Sequence, residues 1–255
     1  MGKDISKDTG KDFTIGLVVP FATDKVPDEG LQMYPGVRFL PRGVGVRSLT
    51  PTGYDSACDA ILPAAEYLAK QDVDAIMVIG TSLTFYRGSD FHDRLMDGLR
   101  KATGLPVSTM SQAVVDGLRS FGARRIVVAT AYADDVNNRL KDFLTAQGFE
   151  VLALEGFGLF GFGEPGSKSE ADIIALSSKL CTAAPSAEGL LISCGGLRTL
   201  GVAKPLEERH DVPVVASTQA AFWAALRLVG ESGHVAGYGR LLERSTAAQP
   251  AASVH

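Results

Sequence analysis

Cysteine and histidine, the residues that build disulfide frameworks and most metal sites, are scarce in this sequence. Its 255 residues include three cysteines and four histidines, which form no CxxC, HExxH or paired-histidine motif. A small, odd number of cysteines argues against a disulfide framework and indicates a reducing compartment. We therefore expect a cytoplasmic protein with no metal ion.

Long apolar runs and an excess of positive charge are also missing. No apolar run approaches the roughly 20 residues of a membrane helix, and the polar residues 1–12 do not resemble a secretory signal. With 25 basic and 29 acidic side chains, the net charge is −4, and no basic patch suited to nucleic acid is evident. We expect no membrane or nucleic-acid partner, and disordered ends over residues 1–12 and 245–255.

Short apolar runs alternate with helical patterns through residues 13–244. The runs are continuous, as is typical of parallel strands covered on both faces. The predicted strands are 13–20, 75–79, 106–108, 125–130, 151–154, 189–193 and 213–216. The predicted helices are about 53–71, 90–103, 112–121, 134–147, 169–184, 203–209 and 219–230. This alternation predicts an α/β fold with parallel sheets and right-handed crossovers.

Three pairs of segments indicate an internal repeat. The paired segments begin at residues 14 and 125, 74 and 188, and 106 and 213, which are separations of 111, 114 and 107 residues. The shared order and spacing make chance a weak explanation. The repeat predicts two pseudo-symmetric Rossmann-like lobes whose strands end at one cleft, where ligands of such sheets bind.

The repeat makes Gly80 and Cys194 equivalent positions, each between an apolar strand and a turn of small residues. Two opposed thiols can remove a proton from one face of a carbon and return it to the other. A single thiol opposite a glycine can still protonate one face of a carbanion. The alternative is a buried, inert cysteine, which is the interpretation we adopt for Cys58 and Cys181. The protonation state of Cys194 stays open at this point.

Groups able to bind an anion flank these two positions. Thr81 and Ser82 offer two hydroxyls beside backbone N–H groups, and Gly195 offers an unobstructed N–H. Together they can bind a carboxylate and stabilise an enediolate, with Tyr132 as a further donor. Turn formation or helix capping is the alternative role of Thr81 and Ser82, and packing is that of Tyr132.

A glycine- and phenylalanine-rich segment, GFGLFGFGEPG, spans residues 156–166. It does not follow the dinucleotide-binding pattern of strand, GxGxxG and helix. It predicts either a flexible apolar flap beside a pocket or a variable surface connection.

Seven stretches resemble the arylmalonate decarboxylase family of the aspartate/glutamate racemase superfamily, across about residues 13–244. They are IGLVVP (15–20), TPTGYD (50–55), GTSLTFYRG (80–88), ATGLPVSTMSQAV (102–114), ATAYADDVNNRL (129–140), SCGGLRTL (193–200) and GYGRL (237–241). GTSLTFYRG and SCGGL are specific. The combination of Gly80 with Cys194 separates the decarboxylases from two-cysteine racemases and from maleate isomerase.

The resemblance implies a racemase-like catalytic unit over residues 13–244, with the site between two interleaved lobes. It implies loss of carbon dioxide from a 2-aryl-2-alkylmalonate without metal or organic cofactor, giving a chiral 2-arylalkanoic acid. Carried over by position, Cys194 is the proton donor. The implied dioxyanion hole consists of Thr81, Ser82, Tyr132 and the Gly195 backbone. The implied substrate-binding residues are Gly80, Pro20, Phe21 and Tyr54.

Two departures from the family pattern leave the exact substrate open. Phe21 stands where the family has the second proline of a Pro-Pro pair, and residues 155–168 diverge. Two other functions also stay open. One is a racemase or maleate-type isomerase, for which Gly80 leaves no second thiol, and the other is a non-catalytic carboxylate-binding protein. The expected partner is a small dicarboxylate, and we expect a monomer.

Overall fold

Two four-stranded parallel sheets form the centre of the computed structural model, which describes residues 13–244. The first sheet contains β1 (Thr14–Val19), β2 (Arg38–Gly43), β3 (Ala75–Val78) and β4 (Val107–Thr109), in the order β2-β1-β3-β4. The second contains β5 (Arg125–Tyr132), β6 (Glu150–Leu159), β7 (Gly189–Ser193) and β8 (Val214–Ala216), in the order β6-β5-β7-β8. The identical strand order confirms the predicted α/β fold with two pseudo-symmetric halves.

Helices cover both sheets, so the central strands β1, β3 and β7 are buried along their whole length. Continuous apolar runs form these strands because neither face of such a strand meets water. The helices are α1 (Asp28–Met33), α2 (Pro51–Ala69), α3 (Thr81–Phe85), α4 (Ser89–Thr103), α5 (Met110–Ser120), α6 (Asp134–Ala146), α7 (Glu170–Ala183), α8 (Ala203–His210), α9 (Ser217–Leu228) and α10 (Arg240–Glu243). All seven predicted helices are present, with ends shifted by a few residues.

The sequence prediction missed four elements, and each lacks the pattern that prediction depends on. β2 reads RFLPRG and lies at a sheet edge, half exposed, so it forms no apolar run and tolerates a proline. The helices α1, α3 and α10 have six, five and four residues, too short for a helical period to be visible. β6 extends to Leu159, so residues 156–159 of the predicted flap are strand.

Two helices join the halves to each other. α5 follows β4 of the first sheet but also packs on β7 and β8 of the second, while α9 follows β8 and packs on β3 and β4. The two helices also pack against one another. This exchange places the carboxyl ends of both sets of central strands around one space.

Between residues 13 and 244, no helix is long and apolar enough to cross a membrane. The two ends predicted to be disordered, residues 1–12 and 245–255, lie outside the described residues.

Gly30 tests the packing of α1 on α9. A Cβ atom at this position would overlap Cζ of the fully buried Phe222 ring. We expect Gly30→Ala to lower the free energy of unfolding by about 1–3 kcal/mol through overpacking, measured by urea denaturation. The matched control is Gly163→Ala, since Gly163 has an ordinary φ of −87° and no atom within 4 Å of an added Cβ. Equal stability of the two variants would contradict this packing.

Candidate active site

A cavity of about 210 Å³ lies at the carboxyl ends of the central strands of both sheets. Its walls include every residue that the sequence singled out as a site candidate. These are Pro20, Phe21, Tyr54, Gly80, Thr81, Ser82, Tyr132, Cys194 and Gly195. The fold therefore brings residues from positions 20 to 195 of the chain together around one space. Sequence reasoning did not identify several apolar wall residues, among them Val46, Leu49, Leu83 and Phe162.

These residues lie in equivalent pairs at the ends of equivalent strands. Pro20 and Phe21 follow β1, and Tyr132 ends β5, which has the same place in the second sheet. Gly80 and Cys194 both come soon after the equivalent strands β3 and β7. The glycine and the thiol therefore occupy corresponding positions on the cavity wall.

Gly80 and Cys194 also share an unusual backbone conformation. Their φ angles are +117° and +145°, and Asp211 is the other non-glycine residue in the described chain with a positive φ. An L-residue held in such a conformation costs about 1–3 kcal/mol and is typical of functional sites. The sequence carries one signal of this conformation. The repeat pairs Cys194 with a glycine, and glycine adopts positive φ without strain.

Hydroxyls at the starts of α5 and α9 support the two turns in matching ways. Ser111 donates to the carbonyl of Thr81 at 2.9 Å, and Thr218 donates to the carbonyl of Gly195 at 3.5 Å. The Gly80 N–H points at the sulfur of Met110, 3.4 Å away. The exchanged helices thus hold the turns on which the candidate catalytic groups lie.

The Cys194 thiol is protonated at neutral pH. Burial raises the pKa of Cys194 to about 11, because a thiolate there loses its hydration. The N–H of Gly196, the Tyr132 hydroxyl and the N–H of Leu197 oppose this rise in pKa without cancelling it. A buried thiol of this kind is an acid with a proton to give rather than a resting nucleophile.

Two tyrosine hydroxyls in the cavity wall lack a well-aligned hydrogen bond. Tyr54 and Tyr132 are each 1% exposed, and no described residue forms a hydrogen bond of good geometry with either hydroxyl, although Ser82 lies close to both and the Cys194 thiol lies close to that of Tyr132. Burial raises the pKa of both tyrosines, so each keeps its proton and can donate it in a hydrogen bond. An unsatisfied buried hydroxyl is costly, and a bound acceptor would satisfy it. The poorly satisfied hydroxyl of Tyr132 argues against a purely packing role.

Thr81 and Ser82 lie in the first turn of α3 rather than before it. α3 begins at Thr81 with Gly80 as its N-cap, and no side chain caps it, so the capping alternative for these two hydroxyls is wrong. N–H groups in the first turn of a helix have no acceptor within the helix. The Thr81 hydroxyl donates to Ser217 at 2.9 Å, which the sequence did not indicate.

The rest of the wall is apolar, and no charged side chain from residues 13–244 lines the cavity. The rings of Phe21 and Phe162 meet edge to face, with centroids 6.1 Å apart.

The main-chain N–H of Leu49 donates to the carbonyl of Phe160 at 2.8 Å, which joins the two sides of the cavity. The carboxylate of Glu164 accepts from the N–H groups of Phe160 and Gly161. The 156–166 segment therefore does border the pocket, held by defined hydrogen bonds.

The other two cysteines lie outside the cavity wall. Burial raises the pKa of both Cys58 and Cys181 to about 11. The Cys58 thiol donates to the Leu83 carbonyl at 3.3 Å. No group of three or more His, Cys, Asp or Glu side chains in the described chain is arranged to hold a metal ion.

Comparison with known proteins gives a consistent family. The family model for arylmalonate decarboxylase matches residues 15–242. The arylmalonate decarboxylase of Bordetella bronchiseptica is 42% identical over 233 residues, which cover 91% of this chain and 97% of that protein. The maleate isomerase of Nocardia farcinica is 25% identical over 247 residues, covering 91% of this chain and 96% of the relative.

Solved structures agree with the sequence comparison. A liganded arylmalonate decarboxylase mutant superposes with a TM-score of 0.88 at 42% identity, covering 90% of this chain and 98% of its own. A maleate isomerase from Pseudomonas putida S16 has a TM-score of 0.83 at 18% identity, covering 94% of this chain and 100% of its own, and shares the fold. On the family model and the Bordetella relative together, this chain belongs to the arylmalonate decarboxylase family.

Proposed function

We propose that this protein removes carbon dioxide from 2-arylmalonates and their 2-alkyl derivatives and protonates the resulting enediolate from Cys194, with no cofactor. The observation that supports this most directly is a buried thiol of raised pKa that shares the wall of an uncharged cavity with a glycine at the equivalent position of the other half. Residues 13–244 act in this proposal as one catalytic unit, a monomer in the cytoplasm, with the site between its two halves.

One carboxylate of the substrate binds to the hydrogen-bond donors of the cavity. The Tyr132 hydroxyl is buried without a well-aligned hydrogen bond, and Ser82, Thr81 and Gly195 line the same space. As the reaction proceeds, negative charge grows on this carboxylate because it becomes the enediolate. Donors already in place therefore stabilise the transition state more than the ground state.

The second carboxylate leaves from the apolar part of the cavity. A carboxylate without water or a cation is destabilised there, whereas neutral carbon dioxide is not. The bond between the α-carbon and this carboxyl breaks, and its electron pair enters the enediolate. Aryl conjugation spreads the same charge. Pro20, Phe21, Tyr54 and Gly80 shape the space for the aryl and alkyl groups.

Cys194 then transfers its thiol proton to one face of the α-carbon. The thiolate that remains is a strong base, because the pKa of the Cys194 thiol is about 11. It therefore takes a proton from solvent before the next turnover. The opposite face meets Gly80, which has no proton to give. A racemase or an isomerase with two thiols would need a donor at this position, and Cys58 and Cys181 do not line the cavity.

Carbon dioxide release tests the proposal. We expect turnover of phenylmalonate and of its α-methyl analogue by metal-free enzyme in the presence of a chelator. Cys194→Ala should lower kcat by roughly 10²–10⁴-fold, the usual contribution of a general acid, with an unchanged thermal unfolding midpoint. Cys181→Ala is the matched control, because this buried thiol lies away from the cavity. Full activity of Cys194→Ala would remove the thiol from the mechanism.

A thiol at position 80 tests the opposed geometry. An added Cβ would lie 3.2 Å from Cβ of Leu83, and the φ of Gly80 resembles that of Cys194, so Gly80→Cys should fold. We expect this variant to racemise 2-phenylpropionate, which chiral chromatography measures, because each face then meets a thiol. Gly80→Ala is the control for the added Cβ. A folded Gly80→Cys that racemises no faster than Gly80→Ala would contradict opposed placement.

The pH dependence of alkylation tests the raised pKa of Cys194. Because the pKa is raised to about 11, the thiol is protonated below that pH and reacts slowly with iodoacetamide. The rate at Cys194 should rise about tenfold per pH unit through the neutral and mildly alkaline range. Mass spectrometry of the peptide that contains Cys194 measures this rate. A plateau already near neutral pH would show a resting thiolate instead.

A further inference from the structure

The Thr81 hydroxyl differs from those of Tyr54 and Tyr132 because it already has a partner. Its Oγ1 donates to Oγ of Ser217 at 2.9 Å. Thr81 is 2% exposed and Ser217 1% exposed, so bulk water does not compete for this hydrogen bond. Ser217 is the first residue of α9 and lies behind the cavity wall rather than in it.

We propose that Ser217 is a positioning residue that acts through Thr81, and that a bound carboxylate reverses their hydrogen bond. A carboxylate only accepts hydrogen bonds. Thr81 can therefore donate to it only by turning its hydrogen into the cavity. Oγ1 of Thr81 is then free to accept, and Ser217 becomes its donor. The result is a chain from Ser217 through Thr81 to the substrate. This inference rests on the proposed function and names a further residue that the reaction uses.

Such a chain strengthens the donor at its end. A hydroxyl that accepts a hydrogen bond is polarised and donates a stronger one. Charge on the bound carboxylate grows as the enediolate forms, so the chain contributes more to the transition state than to substrate binding. Loss of the Ser217 hydroxyl should therefore lower kcat more than it raises KM.

The repeat explains why a side chain of α9 reaches Thr81. Ser217 and Met110 are equivalent positions, 107 residues apart, at the starts of α9 and α5. The Met110 sulfur faces the Gly80 N–H at 3.4 Å, and the Ser217 hydroxyl contacts the Thr81 side chain. Both helices thus support the same turn, and serine supplies a hydroxyl where the other half has a thioether.

Ser217→Ala tests the proposal with phenylmalonate as substrate. We expect kcat to fall about tenfold, the upper end of the effect of a neutral hydrogen bond, and KM to change by about threefold or less. Ser177→Ala is the matched control. Ser177 is 0% exposed and does not line the cavity, and no described residue hydrogen-bonds its hydroxyl, so kcat should be unchanged.

A second pair of variants separates positioning from a structural role. If Ser217 acts through the Thr81 hydroxyl, Ser217→Ala should change kcat less than about twofold in a Thr81→Val background. A structural defect would slow both backgrounds equally. An equal loss in the two backgrounds, or no loss in the Thr81 protein, overturns the proposal.

Binding of phenylacetate separates this inference from the proposed function. Calorimetry on the same four proteins needs no turnover. Ser217→Ala should weaken phenylacetate about threefold when Thr81 is present and leave the affinity unchanged in the Thr81→Val background. If wild-type protein binds phenylacetate in this pattern but releases no carbon dioxide, the proposed decarboxylation fails and the role of Ser217 stands. Equal affinities of all four proteins overturn the role of Ser217.

Discussion

Removal of one thiol from water is the constraint on which the rest of this structure depends. A cysteine at the surface would titrate at mildly alkaline pH, whereas burial raises the pKa of Cys194 to about 11. In our proposal, the proton therefore stays on sulfur until a stronger base, a carbanion, is formed beside it. Cys194, which has a φ of +145°, lies at the carboxyl end of a buried strand, on the wall of the cavity. No charged side chain of the described chain lines that wall, which also keeps the thiol protonated.

In our proposal, the duplicated architecture lets this single thiol protonate one face of the substrate carbon. Equal strand order in the two sheets places equivalent strand ends around the cavity. Where one copy has Cys194, the other has Gly80, with a similar backbone and no functional group. A maleate isomerase shares this fold. In our proposal, the side chain at position 80 decides whether one face of the substrate carbon or both faces can exchange a proton.

Much of the fold could be predicted from the sequence because burial requires apolar residues, which are visible there. Strands covered on both faces must be apolar throughout, and the segments that formed β1, β3, β5 and β7 were identifiable for that reason. The pairing of Gly80 with Cys194 followed from the spacing of the repeat. β2 was missed because an edge strand half exposed to water needs no apolar run.

Details of the site left no such signal, because they depend on contacts between distant segments. The Tyr132 hydroxyl is buried beside Cys194 and Ser82, which are far from it in the sequence, without a well-aligned hydrogen bond. The bond between Thr81 and Ser217 joins residues 136 positions apart. Phe162 lines the cavity from a loop that Leu49 and Glu164 hold by hydrogen bonds. Local pattern cannot reveal contacts of this kind, although the repeat does place Ser217 and Met110 at equivalent positions.

Decarboxylation of 2-methyl-2-phenylmalonate in deuterium oxide tests the central claim most directly, since it reports both the origin and the face of the new bond to hydrogen. A buried thiol equilibrated with solvent should deliver one deuterium to one face. The account predicts 2-phenylpropionate with a single deuterium at the α-carbon and one dominant configuration, as mass spectrometry and chiral chromatography would show. A racemic product, formed at the full enzymatic rate, would contradict protonation by one group fixed in the cavity wall.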